Sequence, residues 1–155
     1  MNEKEVMAVF RKYKKQMISL LGRTVTRDPQ LDYIGKQLFG NKFIGVFGQN
    51  NANWARLKAI PNSMMIINTD VAKKPGKHWV AIYRANKTIY VWDSFGRETK
   101  KLLPIFQKQV VGNKMKLRQA DPDKEQRGKS QVCGQMSLAW LLTVKELGIR
   151  NAMKV

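Results

Sequence analysis

The sequence predicts one α+β domain over residues 1–155. Three features predict it: an amphipathic helical stretch at the start, a hairpin of two short strands at 79–92, and a largely apolar helix at 133–147. In the first, Val6, Phe10, Tyr13, Met17 and Leu20 recur at helical spacing. Asn2 followed by Glu5 reads as a capping box, and Gly22 can end the helix. Arg11, Lys12, Lys14 and Lys15 lie largely off the apolar stripe, so this helix (residues 1–22) packs by one face and turns a basic side outward.

Asp28-Pro29 predicts a second helix start, with Asp as cap and Pro at the first helical position, running to about residue 39 with Gly40 at its end. Residues 43–47 form a short apolar segment before a polar loop, and Ser63 to Asn68 is a buried strand candidate. In the hairpin, 79–84 and 88–92 are rich in Val, Ile, Tyr and Trp, with Asn86 among the turn residues. A helix is expected near 102–111, with Pro104 in its first turn, and a strand near 115–118. The helix at 133–147 is apolar on most faces, hence central and buried, and Gly148 closes it.

Hydrophobic residues make up 43% of the 155, enough for a packed core. No segment approaches the ~20 apolar residues of a membrane span, and the charged start does not read as a secretory leader. One Cys rules out a disulfide within the chain and points to an intracellular or intravirion setting. One His leaves too few ligands for structural zinc, so no metal is expected. Lys plus Arg total 29 against 11 acids, a net charge of +18. Such a field attracts polyanions, and non-specific DNA contact through phosphates is the expectation. Lys73, Lys74, Lys77, Arg97, Lys100 and Lys101 cluster around the hairpin ends and are the candidates, with a solvated charged rim as the ordinary alternative.

The chemistry starts at the hairpin. A register pairing Arg84 with Lys87 puts His78 opposite Asp93, where the carboxylate orients the ring and stabilises the imidazolium. Cys133 begins the buried helix, and a helix N-terminus favours the thiolate. The residues before it (QRGKSQ) are polar, which places Cys133 at a loop-to-helix boundary rather than mid-core. A thiolate–imidazolium pair oriented by a carboxylate performs acyl transfer. It also needs oxyanion donors; the Cys133 N–H is one, and Gln119, Gln126 and Gln131 are open candidates for a second.

The string GKHWVAIYRANKTIYVWDSFG, followed about 30 residues later by QRGKSQVCG, resembles the adenovirus-type maturation proteases, the adenain family of the SUMO-protease clan. The residues carrying the resemblance are His78-Trp79, Asp93-Ser94-Phe95-Gly96, and Gln126 with Cys133-Gly134; FIGVF at 43–47 and IINT at 66–69 are also similar. It spans about 30–148 in order. The resemblance implies a papain-like fold with a central, mostly antiparallel sheet packed by helices and the nucleophile at the start of a buried helix. It selects Gln126, seven residues before Cys133, as the oxyanion donor. Trp79 is expected beside the His, and Trp79 and Gly134 at the substrate.

It further implies a monomeric endopeptidase that cleaves viral capsid or core precursors near Gly, in the virion or the infected cell (nucleus or cytoplasmic factory). The compact size suggests a virophage, a Polinton-like element or another small DNA virus as source. Two departures matter. The acidic member is Asp where adenain has Glu, and no second Cys exists for a disulfide-linked peptide activator. The chemistry is expected to need no cofactor, with DNA or a non-covalently bound peptide as possible activators. The rival expectations are a ubiquitin-like-protein protease of the same clan, a clan member that transfers acetyl groups, and a non-enzymatic basic DNA-packaging protein.

Overall fold

The computed structural model describes residues 1–23, 28–69, 78–120 and 132–155. Along the chain come α1 (Glu3–Leu21), α2 (Asp28–Phe39), β1 (Phe43–Gly48), α3 (Trp54–Ala59), β2 (Met64–Asn68), β3 (Trp79–Ala85) and β4 (Thr88–Trp92). They are followed by α4 (Thr99–Leu102), α5 (Pro104–Gly112), β5 (Lys116–Gln119), α6 (Cys133–Leu147) and α7 (Ile149–Ala152). The architecture is α+β: a five-stranded sheet in chain order, packed by helices on both faces. At its centre β2, β3 and β4 are antiparallel, while β1 and β5 join the two edges in parallel. Each parallel pairing requires a crossover, and α3 and α5 lie in the two crossovers.

Side-chain alternation divides the core. Trp79, Ala81 and Tyr83 of β3 face one cluster with α1, α2 and α6. Val80 and Ile82 face the other, with Leu57 of α3 and Phe106 and Val110 of α5. α6 is buried continuously from Cys133 to Val144, as its apolar sequence requires. It lies against α1 and β3. Trp140 stacks on Trp92 at 6.1 Å and 9°, and Phe10 of α1 meets the same Trp92 at 5.5 Å. These aromatic contacts hold the last residue of β4, and so the position of Asp93, against the Cys133 helix; burying each ring contributes about 1.5–3 kcal/mol.

The hairpin register differs from the expected one. Ala85 pairs with Thr88, so the turn is Asn86-Lys87 rather than Ala85-Asn86. Asn86 takes φ 53°, the left-handed region that Asn tolerates, and this makes it the first turn residue. Continued to the strand ends, this register sets Val80, not His78, opposite Asp93. The slip is two residues, so parity survives: His78 and Asp93 still share a face, as diagonal neighbours. Diagonal Cα atoms lie about 7–8 Å apart, a gap that two side chains close. The short helices α3, α4 and α7 were not expected from sequence. Each is six residues or fewer, too short to show a periodic stripe.

Candidate active site

His78 stands immediately before β3, and its carbonyl accepts from Thr69 N–H at 2.9 Å, which extends the β2–β3 ladder by one pair. Gln49, itself buried, donates to the Thr69 carbonyl and accepts from Ile105 N–H at 3.2 Å. The backbone that carries the imidazole is therefore fixed from the sheet side. Asp93 follows β4 directly. Its Oδ1 is in hydrogen-bond contact with His78 Nε2 and also accepts from Phe95 N–H at 3.3 Å. Oδ2 accepts from the Arg97 backbone N–H at 2.9 Å and from Arg97 Nε at 3.1 Å. Cys133 is the first residue of α6, and its thiol hydrogen-bonds the imidazole. With Nε2 committed to Asp93, Nδ1 is the ring nitrogen left to exchange a proton with sulfur. All three side chains are shielded: Cys133 is 4% exposed, His78 6% and Asp93 3%.

Burial raises the Cys133 thiol, but the hydrogen bond and charge of His78, with the N–H groups of Trp79 and Gly134, outweigh it, so the thiol ionises below its ordinary value. Burial likewise disfavours the charged imidazole; Asp93 and then Cys133 overcome that and raise His78 above its ordinary value. Asp93 resists the burial that would raise it because of His78 and Arg97, and is held at about 2. Opposite shifts on Cys and His are what a thiolate–imidazolium pair requires. A hydrogen bond between charged groups contributes about 1.5–3 kcal/mol. A helix terminus contributes about 0.3–1 kcal/mol. His78 is therefore the main stabiliser of the thiolate, and the start of α6 is the minor one. Val132, the residue before α6, has no polar side-chain atom to cap the helix, so it leaves the first-turn N–H groups to other partners.

The structure brings Cys133, His78 and Asp93 together. Trp79 and Gly134 meet the site through their backbone N–H groups, directed at sulfur. The Trp79 side chain is turned away: it is 3% exposed and its indole N–H donates to Asp28 at 3.0 Å. Gln126, Lys73, Lys74, Lys77 and Gln131 lie outside the described residues. Gln119 is engaged elsewhere, with Thr99 and the Arg97 carbonyl. Lys100 and Lys101 are exposed on α4, where Lys101 approaches Glu98 at 3.8 Å. Arg97, expected at phosphates, is bonded to Asp93. A different cationic surface lies on α1. There Arg11, Lys14, Lys15, Ile18 and Arg23 line a groove of about 380 Å³ with no carboxylate among the described residues.

Sequence reasoning missed three supports. Arg97 reaches Asp93 because Gly96, at φ 64°, turns the chain back, with Gly96 N–H on the Asp93 carbonyl at 2.9 Å. A Gly three residues after Asp93 and an Arg four after it are the readable trace of that turn. Asp28 and Gln135 have no such trace. Asp28 holds the Trp79 indole, and Gln135 Nε2 donates to the Gly22 carbonyl at 2.7 Å. The neighbours of His78 and of Cys133 thus grip the two ends of the α1–α2 connection. Among the described residues no cluster of His, Cys, Asp and Glu is placed to hold a metal, and no helix is long and apolar enough to cross a membrane.

No protein-family model matches the chain. No curated protein matches it either. Among solved structures it is similar to AvrA, determined with IP6 and CoA, at TM-score 0.54 and 12% identity, over 95% of this chain and 62% of that one. At that identity the likeness shows the fold alone, a central sheet packed by helices. The chain spans less than two thirds of AvrA's length.

Proposed function

We propose that this chain is a cysteine endopeptidase that matures viral capsid or core precursors, cutting near Gly. The observation that carries the reading is the Cys133–His78–Asp93 relay at the uncapped start of α6. The resemblance of the His-Trp, Asp-Ser-Phe-Gly and Cys-Gly segments to the adenain family supplies the substrate class. In the reaction, the Cys133 thiolate attacks the scissile carbonyl and forms a C–S bond. First-turn N–H groups of α6, with Gln126, hold the oxyanion. The His78 imidazolium gives its proton to the leaving amine as the C–N bond breaks. His78 then takes a proton from water, whose oxygen attacks the acyl-enzyme; the C–S bond breaks, releasing the acid and restoring the Cys133 thiolate beside the His78 imidazolium. Asp93 keeps the imidazole oriented and balances its charge throughout.

With net charge +18, the protein would bind virion DNA through phosphates, and the α1 groove and the exposed Lys100 and Lys101 offer cations for it. Such binding weakens steeply with salt; a flat salt dependence would remove it.

A second reading is thiol-mediated acyl transfer from a CoA thioester, favoured by the CoA in the AvrA structure. Its IP6 is a polyanion that a +18 chain could also take. One experiment separates the readings. Wild type and Cys133→Ala are incubated with viral precursor proteins and Gly-containing peptides, with and without DNA and with and without acetyl-CoA, and products are weighed by mass spectrometry. Cys133-dependent cleavage supports the endopeptidase. Cys133-dependent acetylation without cleavage replaces it with the transferase. Neither outcome, with Cys133 no more reactive than a free thiol, leaves a basic packaging protein.

A further inference from the structure

We propose that Arg97 is a positioning residue for the catalytic centre, bracing Asp93 directly and the His78 ring through Phe95. This rests on the thiolate–imidazolium reading of Cys133 and His78.

Asp93 has both carboxylate oxygens occupied. Oδ1 serves His78 and Phe95 N–H, while Oδ2 is held from the other side by Arg97 through its backbone N–H at 2.9 Å and its Nε at 3.1 Å. The carboxylate cannot swing away from His78 without breaking the bonds at Oδ2. The guanidinium also lies over the Phe95 ring at 5.0 Å, and the imidazole of His78 meets the same ring at 5.2 Å, tilted by 49°. Arginine, phenylalanine and histidine are therefore in successive contact, and the arginine is also bonded to the acid. Acid and base are held by one side chain, from residues 93 to 97 of a single tight turn.

An exposed ion pair four residues apart would ordinarily contribute little, and the Arg97 side chain is 47% exposed. What lifts it here is its partner: the Asp93 side chain is 1% exposed, so water cannot replace the lost donor. The requirement is also geometric. A lysine supplies charge but neither the Nε–H fork nor a plane to lie on Phe95. Among the described residues the titratable or charged groups that face Asp93 and His78 are Arg97, Cys133 and each other. Removing the guanidinium lets Asp93 rise from its depressed value and loosens the imidazole. Both changes disfavour the thiolate in the acid limb.

The test uses the full chain, whose single cysteine makes labelling unambiguous. The rate of iodoacetamide alkylation of Cys133 is measured from mildly acidic to alkaline pH for wild type, Arg97→Gln, Arg97→Lys, Phe95→Leu and the exposed control Lys108→Gln, with a melting curve for each. Arg97→Gln is expected to move the acid limb to higher pH and to slow alkylation at mildly acidic pH about three- to tenfold, with the alkaline plateau unchanged. Arg97→Lys should recover only part of the loss, and Lys108→Gln should track wild type. Phe95→Leu keeps the ion pair but removes the ring, and should shift the limb in the same direction by less. If Arg97→Gln fails to fold, Arg97→Lys and Phe95→Leu carry the test. Profiles that superimpose on a wild type with an acid-shifted thiol overturn the brace alone, as does full recovery by Arg97→Lys. A wild-type thiol that titrates like a free one removes the dyad, and the brace with it.

Discussion

Helices α1 and α6 lie against each other, yet their N-termini are finished in opposite ways. At α1, Asn2 Oδ1 accepts from Glu5 N–H at 2.8 Å and Glu5 reaches back to Asn2 N–H at 3.2 Å, a complete capping box. At α6 the N-cap residue is Val132, whose side chain cannot cap the first turn, and the first residue is Cys133. A cap satisfies orphan N–H groups and stabilises a helix. Leaving them uncapped keeps those donors for a thiolate and then an oxyanion. α6 can forgo the cap because its first twelve residues are buried against the core, so packing rather than capping holds it. α1, with three buried residues along its length, relies more on its end.

Changes at the α6 end should act on chemistry, and changes at the α1 end on stability. The largest effect is expected from Cys133→Ala, which abolishes acyl transfer outright, assayed by cleavage or acylation of substrate. Asp93→Asn leaves the shape but removes the charge that orients and balances His78; activity should fall about 10²–10⁴-fold, as an orienting carboxylate does elsewhere, measured as kcat/KM. Val132→Asp places a carboxylate before the thiolate. Like-charge repulsion raises the thiol, and alkylation near neutral pH should slow by about tenfold. Unchanged alkylation would mean that the start of α6 does not act on sulfur. Asn2→Ala should cost about 1 kcal/mol of unfolding free energy, read from denaturant titration, and leave the alkylation profile where it was.

pH sharpens the same contrast. The thiol is lowered and the imidazole raised, so the acid limb of activity should lie below the ordinary thiol range and the alkaline limb above the ordinary imidazole range. Asp93 is held at about 2 in the folded protein against an ordinary 3.8. A depressed carboxylate contributes stability that is present above its unfolded value and lost as pH falls through the folded one. Unfolding free energy should therefore drop as pH falls from about 4 toward 2, and Asp93→Asn should flatten that part of the curve. Asn2→Ala should lower the curve without changing its shape there.

Much of this site was legible in the residues. The only Cys and the only His fall at element ends, and an acid ends the second hairpin strand. His78 and Asp93 share a face in either hairpin register, because a two-residue slip preserves which face a side chain takes. The arrangement of the cations was less legible. Charge counts say how strong the field is but not which cations are already engaged. Arg97 is bonded to Asp93, while Arg11, Lys14 and Lys15 of α1 line a groove with no carboxylate among the described residues.

The sequence by itself determined the α+β class, the boundaries of α1 and α6, and the chemical identity of a thiol, an imidazole and a carboxylate. These are written in local patterns: helical and strand periodicity, caps, a closing glycine and unique residues. Only the tertiary structure decided the mixed parallel and antiparallel pairing of the five strands, the seating of Trp92 between Phe10 and Trp140, the grip of Asp28 and Gln135 on the α1–α2 connection, and the attachment of Arg97 to Asp93. Most of these join residues far apart in the chain, and Arg97 depends on a turn whose direction is set by the packed strand before it. No local propensity encodes such contacts; they follow from which faces the core brings together.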